Sequence, residues 1–268
     1  MENKPIKISG RQRLLAYFRN GKIPSEEHYS DLINSMVHKD DDGFSKDEEN
    51  GLKIYADEKY NSLISFYKNI NAIEPFFVIG KDKTDPDALK IQPIDDSADT
   101  SDPIADPDTN SVFFHTNGKV GIGKKCEPQY KMEVDGFVGM GGRIGTYKSG
   151  SVSADGKWQP IIKNLRNAQA FEIVARVGKK GTGKCAIMHA TALSIFGPKG
   201  AKVRRTNGYF GWFWNKIHLR WTGDSTNYAL EIKTGSNFGE GVEIFYTVSR
   251  LWDDSLFLSD DYYYSDKT

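Results

Sequence analysis

The sequence predicts a mainly β protein with a small N-terminal helical region and a C-terminal antiparallel β-sandwich. Three observations predict it. Aromatic residues make up 12% of the 268 residues and glycine contributes 26, a mixture suited to pleated surfaces joined by tight turns. From about Gly145 onward, apolar and polar residues alternate in short runs separated by Gly, Asn and Asp, at the spacing of a sandwich. Helical periodicity, by contrast, is confined to the first part of the chain.

Along the chain, the first helix follows the basic "GRQR" and places Leu14, Leu15 and Phe18 in a short apolar stripe. Pro24-Ser25-Glu26-Glu27 is a start signal, with a capping serine and acids in the first turn. It opens a second helix whose Tyr29, Leu32, Ile33, Met36 and Val37 fall at i, i+3, i+4, i+7 and i+8. A third run with the same spacing, Tyr60, Leu63, Ile64 and Tyr67, predicts a third short helix. Helices this short cannot bury their stripes alone, so they pack on one another or on another chain.

After Pro75 the texture changes. "FFVIGKDKTDPDALKIQPI" reads as two short strands around a turn, and "DDSADTSDPIADPDTNS" as a solvated linker or long surface loop. Asp95, Ser97 and Asp99 do not make a calcium loop, because Thr100 stands where glycine is needed and Pro103 interrupts. Val112 to His115, then Asn117-Gly118, then Lys119 to Gly123 predicts a hairpin, with Asn-Gly supplying the two left-handed residues of a type I′ turn. Met132, Val134, Val138 and Met140 alternate with Glu133, Asp135 and Gly139, which is strand periodicity.

The sandwich strands follow. Phe171, Ile173, Ala175 and Val177 form one inward set. Ile217, Leu219 and Trp221 form a second, Tyr228, Leu230 and Ile232 a third, and Val242, Ile244, Tyr246 and Val248 a fourth. The domain organisation expected is 1–75 helical, 76–111 short strands and acidic linker, 112–145 glycine-rich β neck, 146–252 sandwich head, and 253–268 acidic aromatic tail.

Composition also excludes function classes. Lys plus Arg and Asp plus Glu both total 36, so no general electrostatic case exists for nucleic acid or an anionic membrane as partner. The start "MENKPIKISGRQR" has no apolar signal core and no run reaches the length of a membrane span, which predicts a soluble chain made in the cytoplasm without membrane insertion. Cys126 and Cys185 are expected as free thiols.

Several motifs invite chemistry. Gly178 to Cys185, "GKKGTGKC", is one residue from a phosphate-cradling loop, with Cys185 in place of Ser or Thr. The flanking pattern is antiparallel, no strand ending in a magnesium-binding Asp follows, and thiol is a poor Mg²⁺ ligand. A glycine-rich hairpin turn is the reading adopted. His28, His38, His115, His189 and His218 form no metal-ligand spacing. No nucleophile elbow or acid pair stands out, so no catalytic residue, metal or cofactor is assigned and the protein is read as non-enzymatic. The dense segment "NGYFGWFWNKIHLRW" holds Tyr209, Trp212, Trp214 and Arg220. It is either a sugar-stacking platform, a subunit interface, or core filling in which alternate rings face inward. Strand alternation would set Tyr209 and Phe213 against Phe210, Trp212 and Trp214, so one of the two sets should meet solvent, a partner or a ligand.

Gly118 to Gly123, Pro128 and Met132 to Gly136 together resemble the pattern G-x-V-G-I-G…P…V-x-G of bacteriophage tail fibres and related bacterial surface fibres, with Lys124 for Thr and Met132 for Leu. The segment from Leu14 to Ile54 is similar to N-terminal parts of fibre-like proteins in phage-tail-like contractile injection systems. The resemblance implies a homotrimer: a helical base docking on other structural proteins of the particle, an intertwined β neck, and an outward sandwich head. Leu14, Leu15, Phe18, Leu32, Ile33 and Met36 would then anchor the chain. Val120, Ile122, Met132, Val134, Val138 and Met140 would meet around the trimer axis, because the neck is too thin to bury them within one chain. A cell-surface glycan is the ligand expected if the head binds one; the alternative reading is a carbohydrate-binding module.

Overall fold

The computed structural model describes residues 9–38, 42–55, 61–94 and 109–258. The acidic stretch from 95 to 108, with Asp95, Ser97 and Asp99, and the tail from 259 lie outside the described residues. The chain is mainly β, with several antiparallel sheets, and divides into two compact units, Met1–Val138 and Gly139–Thr268.

In the first unit, helices α1 (Arg11–Tyr17) and α2 (Glu26–Ile33) pack side by side. The α2 start is a capping box: the Ser25 side chain takes an N3 backbone amide, while the Ser25 amide donates to His28 Nδ1 at 3.1 Å. Tyr17 stacks on His28 at 3.9 Å and donates its hydroxyl to Asp31, which also accepts from Ser9. No residue of either helix is fully buried, and Leu15, Phe18, Ile33 and Met36 remain exposed. A two-stranded hairpin, β1 (Phe44–Asp47) and β2 (Gly51–Ile54), follows.

The third helix does not form. Residues Ser62–Phe66 are strand β3, pairing with β4 (Phe77–Lys81) through Ile64 opposite Ile79 and Phe66 opposite Phe77. The spacing of Leu63, Ile64 and Tyr67 fits a helix, but "SLISF" also alternates, and a waiting strand decides between them. β3 opens a six-stranded sheet continued by β4, β5 (Ala88–Pro93), β6 (Val112–His115), β7 (Val120–Ile122) and β8 (Met132–Val134). Neighbours are antiparallel except β7 and β8, which run parallel.

The glycine motif acquires a local reason here. The β6–β7 connection leaves Gly118 alone left-handed, φ +77°, with Asn117 in an ordinary conformation. The type I′ turn is therefore replaced by a tight turn closed by one left-handed glycine. A Cβ on Gly121 would stand 2.1 Å from the Lys124 carbonyl oxygen, because the chain folds back over β7 on its way to β8. Lys124 closes that return by pairing with Glu133 at 2.6 Å. Strand periodicity from Met132 to Met140 is realised only as far as Val134; Phe137, Val138 and Met140 are exposed, outside any strand. Gly136, φ +141°, breaks the extension.

The second unit is a sandwich of two sheets around one core. The larger has strand order β13-β12-β11-β16-β9, using β9 (Lys148–Ser153), β11 (Ala168–Gly178), β12 (Cys185–Ile195), β13 (Lys202–Phe210) and β16 (Glu243–Trp252). The smaller has order β10-β15-β14, using β10 (Gln159–Leu165), β14 (Ile217–Gly223) and β15 (Tyr228–Thr234). All pairs are antiparallel. Phe171, Ile173, Ala175, Val177, Ile217, Leu219, Trp221, Tyr228, Leu230, Ile232, Val242, Ile244, Tyr246 and Val248 are all buried. Burying a large side chain of this kind contributes roughly 1.5–3 kcal/mol, so these four strands dominate the stability of the unit. "CAIMHATALSI" is β12, with Ala186, Met188, Ala190 and Ala192 turned inward. A short helix, α3 (Asp254–Phe257), closes the chain's exit: Asp254 accepts from the Ala168 amide and from the Trp252 indole.

Candidate functional site: an aromatic turn at one end of the sandwich

β13 stops at Phe210, so Trp212, Phe213 and Trp214 lie in a turn and not on a strand. The alternation expected through Trp214 is broken by Gly211, whose φ is +90°. A side chain there would be 2.8 Å from both Asn215 Nδ2 and the Gly183 carbonyl oxygen, which makes glycine the residue that fits. The turn is held from beneath by Asn215, fully buried, whose amide donates to the Phe210 carbonyl and whose Oδ1 accepts from Ser236. Asn207 fixes the other side, accepting from the Ile217 amide at 2.9 Å and donating back to its carbonyl.

This scaffold presents the rings outward. Trp212 is 65% exposed and Trp214 43%. Their rings are stacked, with centroids 5.1 Å apart and planes 5° from parallel, and Phe213 meets Trp214 edge-on at 4.7 Å. Lys216 sits over the Tyr209 ring at 4.9 Å. The rings do not fill the core, which is supplied by other strands. A flat, preformed, exposed indole pair held on a buried asparagine is a stacking surface whose geometry costs little to order on binding.

Arg220 belongs elsewhere. It points from β14 to the outer face of the three-stranded sheet, pairs with Glu231 at 2.7 Å, and lies over the Trp158 ring at 4.4 Å. Lys233 approaches the same ring at 4.7 Å. Sequence proximity grouped Arg220 with the aromatic segment, whereas Trp158, the ring it stacks on, is distant in sequence. On the same face, burial foremost, then the charges of Arg205, Lys233 and Lys216, hold the His218 imidazole below its ordinary pKa.

The aromatic turn lies beside other loops. Gly178 to Cys185 is the hairpin connection between β11 and β12, with Gly178 paired to Cys185, and Gly183 touches the turn at Gly211. Lys184 donates to the Asn237 carbonyl at 3.1 Å. β9 and β16 pair so that Ser153, opposite Glu243, lies at this same end. The chain enters β9 from the opposite side and leaves at Trp252 and α3, also opposite. The indole pair is therefore at the end of the sandwich away from both chain connections.

Of the expected neck residues, Val120 and Ile122 on β7 pair with Met132 and Val134 on β8. Met132, Val138 and Met140 remain exposed. Cys126 and Cys185 are free. Among the described residues no group of His, Cys, Asp or Glu is arranged to hold a metal ion, and no helix is long and apolar enough to cross a membrane. His115 bonds Asp85 of the β4–β5 connection at 2.9 Å, and His189 on β12 bonds Glu172 on β11 at 2.9 Å. No family model matches this chain, and neither a curated protein nor a solved structure matches it.

Proposed function

We propose that this chain is a structural and attachment component, tail-fibre-like, of a phage tail or a phage-tail-like contractile injection particle. It acts as a homotrimer and without enzymatic activity, docks through its N-terminal helices on other proteins of the particle, and presents the sandwich outward. The observation that carries the reading is the exposed Trp212–Trp214 stack at the end of the sandwich away from both chain connections. An attachment protein requires a contact surface at its free end. The uncovered apolar stripes of α1 and α2 support an anchoring role at the other end of the chain, and the resemblance of Gly118 to Gly136 to fibre proteins supports the family of particles.

The same indole pair favours a second reading, a carbohydrate-binding module, because sugar rings stack on flat exposed indoles. Two measurements separate the readings. Co-purification of the chain with sheath or baseplate proteins supports the particle component, and its absence from assembled particles contradicts it. Binding on a glycan array that is lost in Trp214→Ala supports glycan attachment at the tip. Unchanged binding in that variant removes the indole pair as the contact.

A further inference from the structure

The chain carries no net formal charge, but the sandwich does not share that balance evenly. Four loops meet at the end that holds the aromatic turn: 154–158, 179–184, 211–216 and 235–242. Between them they hold Lys157, Lys179, Lys180, Lys184 and Lys216. The acids at this end are Asp155, Glu240 and Glu243. Asp155 accepts from the Lys157 amide within its own turn. Glu240 and Glu243 belong to the start of β16 and its approach, a strand that β11 and β12 separate from β13. The loops at the opposite end carry Arg166 and Lys199 against Asp224, and the chain leaves there through Asp253 and Asp254.

The positive charge gathers beside the indoles. A Cβ on Gly235 would collide with the Trp214 carbonyl oxygen and stand 3.1 Å from His218 Nε2, so the aromatic turn, the loop after β15 and the imidazole share one seam. Arg205, Lys233 and Lys216 are all near enough for their charges to bear on that imidazole. Lys216 and Lys233 lie over the rings of Tyr209 and Trp158, and Arg205 is exposed. None of these three cations is in an ion pair among the described residues, and Glu231, the acid on the outer face of β14 and β15, is matched by Arg220. Like charges held together in this way repel one another, and an anion entering among them relieves the repulsion. The indoles supply the other half of a contact. Trp212 and Trp214 stack on each other at 5.1 Å, so they offer one flat platform, which fits a sugar ring. A row of separate rings, as successive bases of a single strand need, is not what they form.

We infer that the ligand of the aromatic turn is an acidic saccharide, with a sugar ring stacking on Trp212 and Trp214 while its anionic group pairs with Arg205, Lys216 and Lys233. This rests on the reading of the indole pair as a glycan contact and adds the charge of the glycan. A carboxylate, a sulfate or a phosphate on the sugar meets the cations by the same chemistry. Lys179, Lys180 and Lys184, on the neighbouring loop, extend the positive field along a polymer of such sugars.

The test is binding of the full chain to an array bearing uronate, sulfated and phosphorylated glycans beside neutral ones, with single-stranded DNA as a competing polyanion. The variants are the double change Lys216→Gln with Lys233→Gln, then Trp214→Ala and, as control at the opposite end, Lys199→Gln. Circular dichroism verifies that each stays folded. The wild type and Lys199→Gln are expected to bind acidic glycans, and the array separates the three anionic groups. The double variant is expected to bind at least fivefold more weakly, Trp214→Ala to lose binding, and added salt to weaken the wild type. Binding to neutral glycans that is lost in Trp214→Ala but unchanged in the double variant overturns the acidic ligand and leaves the glycan contact standing. Binding to acidic glycans that survives Trp214→Ala, or that DNA displaces as well as free glycan does, is general attraction of polyanions and overturns the inference. No binding to any glycan contradicts both readings. Should the double variant not fold, Arg205→Gln, at an exposed position, makes the same comparison.

Discussion

At the residue scale, single atoms decide where the chain can turn. Gly121 is the sharpest case, since its missing Cβ leaves the space in which the Lys124 carbonyl lies. Gly121→Ala should destabilise the first unit by about 1–3 kcal/mol or more, as overpacking does. Gly139→Ala, which meets nothing within 4 Å, should be neutral; chemical denaturation of the two variants makes the comparison. His218 sets a pH dependence. Its folded pKa is lowered, burial being the first cause, so below the ordinary value of about 6.5 the unfolded chain takes up the proton first. Stability should therefore fall as pH drops below about 6.5. His218→Gln should flatten that part of the curve; a melting temperature whose pH dependence is identical in the variant would contradict the assignment. Residue types were legible where period-two alternation is strict: Ile173, Leu219, Leu230 and Ile244 face the core because their neighbours are polar or their strand is central. Arg220 was not legible. Its ring partner, Trp158, comes from another strand's approach, and no local pattern announces that pairing.

At the scale of elements, the same alternation misleads when one short run satisfies two periods. Leu63, Ile64 and Tyr67 fit a helix, yet β4 offers a backbone ladder and Ser62–Phe66 joins it. From Met132 the alternation continues to Met140, but positive φ at Gly136 ends the strand at Val134. The aromatic run from Tyr209 to Trp214 reads as one strand until Gly211 turns it. In each case the deciding fact is a long-range partner or a glycine conformation, neither of which periodicity encodes. Strand alternation led to the expectation that one of the two ring sets would meet solvent or a partner, without saying which; in the turn, rings of both sets are exposed. The α1–α2 pair has its own consequence. With no buried residue in either helix, deletion of residues 1–38 should leave the main unfolding transition within a few degrees of the full chain, because exposed residues contribute little to stability. The same deletion should abolish incorporation into particles, as a pull-down of assembled particles would read; retained incorporation would place the anchor elsewhere.

At the scale of the whole molecule, apolar side chains are left exposed in both units: on the short helices of the first, on the stretch with Phe137, Val138 and Met140 where the two meet in sequence, and in the aromatic turn of the second. A chain with zero formal net charge gains no general electrostatic protection against association, so such surfaces are expected to be covered in the working state. On the function proposed, trimerisation would cover the stretch, docking would cover the helices, and the indole pair would be left free for attachment. The measurement that bears most directly on this account is the mass of the full chain by light scattering across a wide concentration range. The account predicts a constant mass three times that of one 30.1 kDa chain. A single-chain mass at every concentration would contradict it.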